Sequence, residues 1–186
     1  MPTRRRFWLA VAIQVAVLLA MIAVHGFTLA TGRAVTLKTR PIDPWSLMSG
    51  RYVALSYDIS GLTEGQVPMT GGPYKRGQTV WVTLQKGDPY WQAVALSDRR
   101  PAVGPDQVAL RGMVSSDWQP VPFVAGEPAR PWQYVIQYGI EQFYIPEGET
   151  AIERRGAEFT VEALVDSTGR AALHRVFLDG KQLNWR

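Results

Sequence analysis

Four glutamates in the C-terminal half of the sequence, Glu141, Glu147, Glu149 and Glu153, form a dense group of side chains capable of chemistry. Their carboxylates could act as general acids or bases, or bind a hard cation through oxygen. A structural role is the alternative. Glu147 and Glu149 would occupy the first turn of a short helix that begins at Pro146, where the helix dipole favours negative charge. We favour the structural interpretation, so the sequence predicts no catalytic residue and no metal ligand in this segment.

Nucleophilic catalysis by serine is a second chemistry to consider. Residues 43–53 read DPWSLMSGRYV, which resembles a serine-containing segment of bacterial signal peptidases, membrane-anchored β proteins with a Ser–Lys pair. Ser46 or Ser49 would be the nucleophile, and Lys75 or Lys86 would be the general base. Neither lysine lies in an apolar strand, the environment in which a lysine becomes a base. A Ser–Lys hydrolase is therefore the alternative function rather than the leading one.

The composition excludes several classes of function. The chain has no cysteine, which removes disulfides, thiolate nucleophiles and zinc–thiolate sites. Its net charge is +4, but three of its 20 basic residues are Arg4, Arg5 and Arg6. The remaining 17 basic residues face 16 acidic ones, so the rest of the chain is close to neutral. Because a nucleic-acid-binding domain carries a basic face of its own, we predict no nucleic-acid partner.

The N-terminal segment predicts a membrane anchor. Residues 7–24 read FWLAVAIQVAVLLAMIAV without a charged side chain, and the apolar stretch extends to Ala30. About twenty such residues in a helix cross a hydrocarbon core of about 30 Å. Arginines stand directly before the stretch and no other Lys or Arg follows until Arg33, which places the N-terminus inside. A cleavable secretory signal has a shorter apolar core, so we favour an uncleaved anchor in the bacterial cytoplasmic membrane.

The remaining chain predicts one β-rich domain on the periplasmic, extracytoplasmic side. Residues 51–59, RYVALSYDI, alternate apolar and polar side chains with the period of two that a strand requires. We therefore divide the chain into a cytoplasmic basic N-terminus, a transmembrane anchor and an extracytoplasmic domain, at residues 1–6, 7–30 and 33–186. Further strands are predicted at residues 35–39, 107–115, 134–138, 143–145, 159–166, 171–178 and 181–185.

Two turn signals predict hairpins. The strand-like segments 79–85 and 90–96 are separated by a Gly-Asp-Pro turn, and Asp179-Gly180 stands between the last two predicted strands. We expect mainly β structure, an antiparallel sandwich or a barrel-like sheet, with one N-terminal transmembrane helix. One or two short helices complete the prediction, at residues 44–48 and 146–154.

Aromatic side chains indicate a contact surface. Trp118 and Trp132 bracket a proline-rich stretch that cannot form a regular element. Because exposed aromatic side chains contribute much of the binding energy at interfaces, we predict that this stretch faces a membrane or another protein.

Several separated motifs resemble one bacterial family. Residues 50–57 read GRYVALSY, which is similar to the GDYxxLxY motif that names a family of membrane-anchored proteins. The resemblance continues through VALRG at 108–112, YGIEQFYIPEGE at 138–149 and FLDG at 177–180. Arg51 stands where the motif has Asp, so any role of that carboxylate is absent from this chain. The resemblance implies an N-terminal anchor, an extracytoplasmic domain and genomic proximity to multi-spanning membrane proteins, while the family has no established activity.

These observations predict a membrane-anchored accessory or binding module without catalytic activity. Its expected partners are the lipid bilayer and an integral membrane protein that spans the bilayer several times. We predict no cofactor and no metal, and the sequence identifies no small-molecule ligand. The candidate residues for the family motif and the interaction are Gly50, Tyr52, Leu55, Tyr57, Tyr138, Gly139, Glu141, Pro146, Glu147, Gly148, Glu153, Trp118 and Trp132.

Overall fold

A computed structural model of the chain describes residues 2–40, 52–120, 131–144 and 159–183. It contains one long N-terminal helix and a mainly β domain with two larger sheets, one of which curls into a half-barrel, and a two-stranded ribbon. The predicted fold class is confirmed. In chain order the strands are β1 (Arg33–Lys38), β2 (Tyr52–Ala54), β3 (Gly61–Thr63), β4 (Met69–Thr70), β5 (Thr79–Gln85), β6 (Gln92–Ser97), β7 (Gln107–Trp118), β8 (Gln133–Gln137), β9 (Gln142–Tyr144), β10 (Phe159–Val165), β11 (Ala171–Leu178) and β12 (Lys181–Leu183).

Helix α1 spans Pro2–Thr31, a length of about 45 Å. Large apolar side chains point outward all around it, and Trp8, Leu19 and Ile22 are each at least 60% exposed. The segment Arg4–Thr31 is long and apolar enough to cross a membrane. Helix α1 contacts β10 and β11, and Thr28 near its C-terminal end bonds Asp166. The structure is therefore consistent with single-pass membrane anchoring.

The first larger sheet continues directly from α1. Its order is β1-β10-β11-β12, and all of its neighbours are antiparallel. The turn between β11 and β12 is formed by Asp179 and Gly180, which have φ angles of 48° and 78°. Left-handed backbone at both positions matches the tight hairpin turn that Asp-Gly predicts.

The second larger sheet has the order β3-β8-β7-β5-β6-β4, in which only the short β4–β6 pair is parallel. Strands β5 and β6 pair antiparallel across the turn, as the sequence predicts. Val80, Val82 and Leu84 on β5 are fully buried and alternate with more polar positions. The inner face of this sheet packs with the first sheet into one apolar core.

Residues 51–59 differ from the predicted single strand. Tyr52–Ala54 form β2, whereas Asp58–Ser60 form a 3-10 helix. Leu55 and Tyr57 are nevertheless buried, so the alternation of side chains is as predicted. Beyond β2 the Leu55 N–H still bonds the Glu141 carbonyl at 2.6 Å, and the backbone groups that follow bond elsewhere. The Ser60 N–H, for example, donates to the Tyr57 carbonyl at 2.9 Å.

Strand β7 is longer than predicted and runs to Trp118, because it pairs with β5 over its first part and with β8 over its second. The predicted short helices at residues 44–48 and 146–154 lie outside the described residues. Residues 121–130 of the proline-rich stretch also lie outside them.

Candidate functional site

Tyr57 and Tyr138 each hydrogen-bond the backbone of the segment that carries the other tyrosine. The Tyr57 hydroxyl donates to the Ile140 carbonyl at 2.5 Å, and the Tyr138 hydroxyl donates to the Ile59 carbonyl at 2.6 Å. Each accepting carbonyl lies two residues after one of the tyrosines, so the two bonds form a reciprocal pair. All four residues are buried. We call them the tyrosine clasp.

Glu141 holds the turn that carries one half of the clasp. Its carboxylate accepts the N–H groups of Tyr138 and Gly139, the second at 2.9 Å. Gly139 has a φ of 83°, a left-handed conformation that glycine adopts without a steric penalty. The Glu141 carbonyl also accepts the Leu55 N–H at 2.6 Å, which joins this turn to the GRYVALSY segment. The carboxylate therefore serves the backbone of its own turn.

Both clasp hydroxyls stay protonated at physiological pH. Burial raises the pKa of Tyr57, and the negative charge of Glu141 raises it further. The same two causes, with burial the larger, raise the pKa of Tyr138 well above its ordinary value. A buried hydroxyl of this kind is a permanent hydrogen-bond donor and a poor general base. The clasp therefore serves the structure of the domain and is not suited to acid–base catalysis.

The described motif residues meet in the interior of the domain. Leu55 is buried in the core, and Tyr52 pairs with Tyr144 between β2 and β9. The GRYVALSY and YGIEQFYIPEGE segments were expected to build a shared contact surface. Their described parts do lie together, but the buried tyrosine side chains bond the backbone of the other segment. The remaining motif candidates, Gly50, Pro146, Glu147, Gly148 and Glu153, lie outside the described residues.

A second buried constellation joins α1 to the turn between β10 and β11. The Asp166 carboxylate accepts the Thr28 hydroxyl at 2.6 Å and the Thr168 hydroxyl at 2.7 Å. It also accepts the N–H groups of Thr168 and Arg170, at 2.8 and 3.1 Å. Burial acts to raise the pKa of Asp166, but these hydrogen bonds outweigh it and hold the pKa below its ordinary value. We call Thr28, Asp166, Thr168 and Arg170 the helix junction.

Sequence reasoning missed the helix junction. Thr28 and Asp166 are 138 residues apart, and each has an ordinary local explanation, as a tolerated hydroxyl near a helix end and as a turn residue. Gly32, directly after the helix, was equally inconspicuous. A Cβ there would lie 2.8 Å from the Cβ of Leu164 and would also collide with the Thr28 carbonyl. The one available signal was a polar residue inside the extended apolar stretch.

One face of the β7–β8 pair exposes apolar side chains, and we call it the β7–β8 face. Met113, Trp118 and Val135 are 48%, 49% and 40% exposed. Their cross-strand partners are polar and uncharged: Gln137 lies opposite Met113, Gln133 opposite Trp118 and Ser116 opposite Val135. The face thus combines apolar side chains with neutral hydrogen-bonding groups.

The two tryptophans that bracket the proline-rich stretch differ in exposure. Trp118 belongs to the β7–β8 face, whereas Trp132 is half-buried and packs against the core. The Trp132 ring stacks on the ring of Tyr134, with centroids 6.2 Å apart and planes inclined by 11°. Trp118 is therefore the more exposed of the two tryptophans.

The described part of the Ser–Lys alternative gives it no support. The side chains of Lys75 and Lys86 are exposed rather than held in an apolar environment. Ser46 and Ser49 lie outside the described residues. A cleft of about 430 Å³ lies near β1 and β6. Arg40 and Asp58 both line this cleft, and they form an ion pair with an N–O distance of 3.4 Å.

These features define a class of protein, a β-rich domain carried on one N-terminal helix that is long and apolar enough to cross a membrane. The chain belongs to the GDYXXLXY protein family, whose family model matches residues 14–176. The match confirms the resemblance seen in the sequence motifs, and it includes the second half of α1 and the helix junction. No curated protein and no solved structure matches the chain.

Proposed function

We propose that the protein is a membrane-anchored accessory module of the bacterial cytoplasmic membrane that binds a multi-spanning membrane protein. Its domain lies on the extracytoplasmic side. The observation that carries this proposal is the β7–β8 face, where three exposed apolar side chains have uncharged cross-strand partners, on a domain with an apolar core of its own. Interface centres are depleted in charge and enriched in aromatic side chains and methionine.

The position of the β7–β8 face relative to α1 supports a partner in the same membrane. The Arg111 N–H, two residues before Met113, donates to the Gly169 carbonyl at 2.8 Å. Gly169 lies in the same turn as Asp166, which binds the end of α1. The face therefore starts near the end of α1 and extends along β7 for about 17 Å. Extracytoplasmic loops of a neighbouring membrane protein lie within that distance of the bilayer.

The clasp and the arginines before α1 support the rest of the proposal. The clasp fixes the motif segments in the interior, which is expected of a module that keeps a constant shape for its partner. Arg4, Arg5 and Arg6 directly precede an apolar stretch, and this charge bias favours an N-terminus that stays in the cytoplasm. The domain, at the other end of α1, would then be extracytoplasmic.

Photo-cross-linking in native membranes tests the partner. A photoreactive amino acid replaces Trp118 or Met113, and the control places it at Arg175, an exposed position on β11. We expect both β7–β8 positions to give an adduct of one constant mass, the control to give none, and Trp118→Asp to abolish the adduct formed from position 113. Equal adducts at position 175, or none at the two test positions, would overturn the proposal.

Cysteine labelling tests the orientation, because the natural chain has no cysteine that could react. A membrane-impermeant maleimide should label Lys181→Cys in intact spheroplasts, and should label Arg5→Cys only after lysis. The reverse pattern would place the domain in the cytoplasm and contradict the proposal.

A serine-directed probe distinguishes the hydrolase alternative from the accessory function. Labelling of Ser46 or Ser49 that disappears in Lys75→Ala or Lys86→Ala would replace the accessory function with a catalytic one. We expect no labelling that depends on either lysine.

A further inference from the structure

We propose that the helix junction and the arginines next to it form a binding site for one anionic phospholipid of the surrounding leaflet. A cavity of about 340 Å³ lies at the junction and is lined by Ala23, Phe27, Asp166, Thr168 and Arg170. This site rests on the membrane anchoring proposed above, but it does not require the protein partner.

The cavity has an apolar wall and a polar wall. Ala23 and Phe27 are four residues apart on α1, so they lie on the same side of the helix about 6 Å apart along its axis. The opposite wall is the turn between β10 and β11, which contributes Asp166, Thr168 and Arg170. An amphiphilic ligand matches these two walls better than a purely polar or a purely apolar one.

The depth of the cavity corresponds to the lipid interface. The uncharged residues 7–24 span about 27 Å as a helix, nearly the thickness of the hydrocarbon core. Ala23 therefore lies close to the end of the acyl chains, while Phe27 and Thr28 lie about one helical turn further out, among the headgroups. The buried hydrogen bond between Thr28 and Asp166 agrees with this assignment, since a carboxylate is costly in hydrocarbon.

The junction leaves positive charge available for a ligand. Asp166 is buried and already accepts four hydrogen bonds. The guanidinium groups of Arg170 and Arg111 have no ion pair with any acidic side chain in the part of the chain that the structure describes. Both side chains are exposed. Two exposed guanidinium groups flank the same turn, because the Arg111 N–H bonds to Gly169 at 2.8 Å.

A third arginine and an indole lie at the edge of this cluster. Trp81 pairs with Arg111 across β5 and β7, and its ring packs so closely on Gly169 that a side chain there would collide with it. The Arg100 guanidinium lies 5.8 Å from the centroid of the Trp81 ring. Arginine binds phosphate through paired N–H donors, and tryptophan is favoured at membrane interfaces. Basic pockets beside transmembrane helices bind lipid headgroups for the same reasons.

Lipid titration of the purified full-length protein tests the site. The protein in neutral detergent is titrated with short-chain phosphatidylglycerol, with phosphatidylcholine of the same chain length and with inorganic phosphate, and lipid binding is read by native mass spectrometry. We expect phosphatidylglycerol to bind more tightly than phosphatidylcholine, and Arg170→Gln and Arg111→Gln each to weaken phosphatidylglycerol binding about five-fold.

The matched control is Arg175→Gln, which removes an exposed arginine of β11 that faces Glu162 instead of the junction. It should bind phosphatidylglycerol like the wild type. Phe27→Ala should weaken phosphatidylglycerol binding without altering any binding of phosphate, because it removes only the apolar wall. Equal binding of the two lipids, equal losses in Arg175→Gln and Arg170→Gln, or displacement of the lipid by equimolar phosphate would each overturn the proposal. Because no partner protein is present, such a failure would leave the cross-linking result untouched.

Discussion

The tyrosine clasp and the helix junction both join distant parts of the chain through buried hydrogen bonds. They differ in whether a polar side chain is left exposed. In the clasp, both hydroxyls end on backbone carbonyls and the Glu141 carboxylate is occupied by its own turn. At the junction, Asp166 is saturated while the Arg170 side chain stays exposed next to a cavity. In the described part of the motif, Leu55 and Tyr57 are thus buried inside the domain, whereas the junction leaves Arg170 exposed.

Removal of a clasp hydroxyl should have the largest effect on stability. Tyr57→Phe and Tyr138→Phe each leave a buried carbonyl without its donor, and we expect each to lower the free energy of unfolding by about 1–3 kcal/mol. The two bonds join the same segments, so the double variant should lose an amount that differs from the sum. Denaturant unfolding of the full chain in detergent measures all three.

Tyr90→Phe is the matched control for the clasp. Its hydroxyl is 3.4 Å from the Thr160 hydroxyl, a distance at which little hydrogen-bond energy is expected. If Tyr57→Phe proved no more costly than Tyr90→Phe, the reciprocal bonds would not stabilise the domain.

Removal of the Thr28 hydroxyl should have a smaller effect on stability, because Asp166 keeps three other hydrogen bonds. We expect Thr28→Val to lower the free energy of unfolding by about 1–2 kcal/mol. Hydrogen exchange of the Thr168 and Arg170 amides should accelerate with it. Thr31→Val is the control, since its hydroxyl only bonds the Phe27 carbonyl within the helix. Equal losses in Thr28→Val and Thr31→Val would show that the junction does not hold the helix.

Acid should weaken the junction. The pKa of Asp166 is lower in the folded state than in the unfolded chain, where it is about 3.9. Its stabilising contribution is therefore complete above that value and is lost as the pH falls through the folded-state pKa. The difference in unfolding free energy between the wild type and Asp166→Asn should be constant from about pH 8 to 5 and shrink below about pH 4. A difference that grows in acid would contradict the assignment.

Substitutions on the β7–β8 face should have the smallest effect on stability. Trp118→Ser removes an exposed ring and should change the free energy of unfolding by no more than about 0.5 kcal/mol. Trp132→Ser removes a half-buried ring that stacks on Tyr134, so it should cost more. Thermal unfolding compares the two variants directly. A large loss of stability in Trp118→Ser would mean that this ring stabilises the fold and is not available to a partner.

Local patterns in the sequence were sufficient for most of the fold. Alternation of apolar and polar residues predicted β5, β6, β10 and β11, and Asp179-Gly180 predicted the last turn. These signals are local because side-chain direction in a strand repeats every two residues. Alternation also predicted a strand over residues 51–59, which was wrong in part because a strand needs a partner as well as a pattern.

The sites were harder to predict, because they depend on which side chains tertiary structure brings together. Glu141 appeared as one carboxylate among four, and only the turn at Gly139 shows that its oxygens bind backbone N–H groups. Trp118 and Trp132 have equivalent positions around the proline-rich stretch, but the strand register places Trp118 outward, while Trp132 packs on Tyr134. Neither distinction is encoded in local spacing.

The close contact of Gly32 with Leu164 has a mechanical consequence. Only Gly32 separates α1 from β1, and a side chain at this position would collide with Thr28 and Leu164. In the membrane arrangement proposed above, such a short connection would hold the domain close to the bilayer, whereas a domain on a long tether would sample a wider area. A partner in the same membrane would then reach the domain by lateral diffusion and in a restricted orientation.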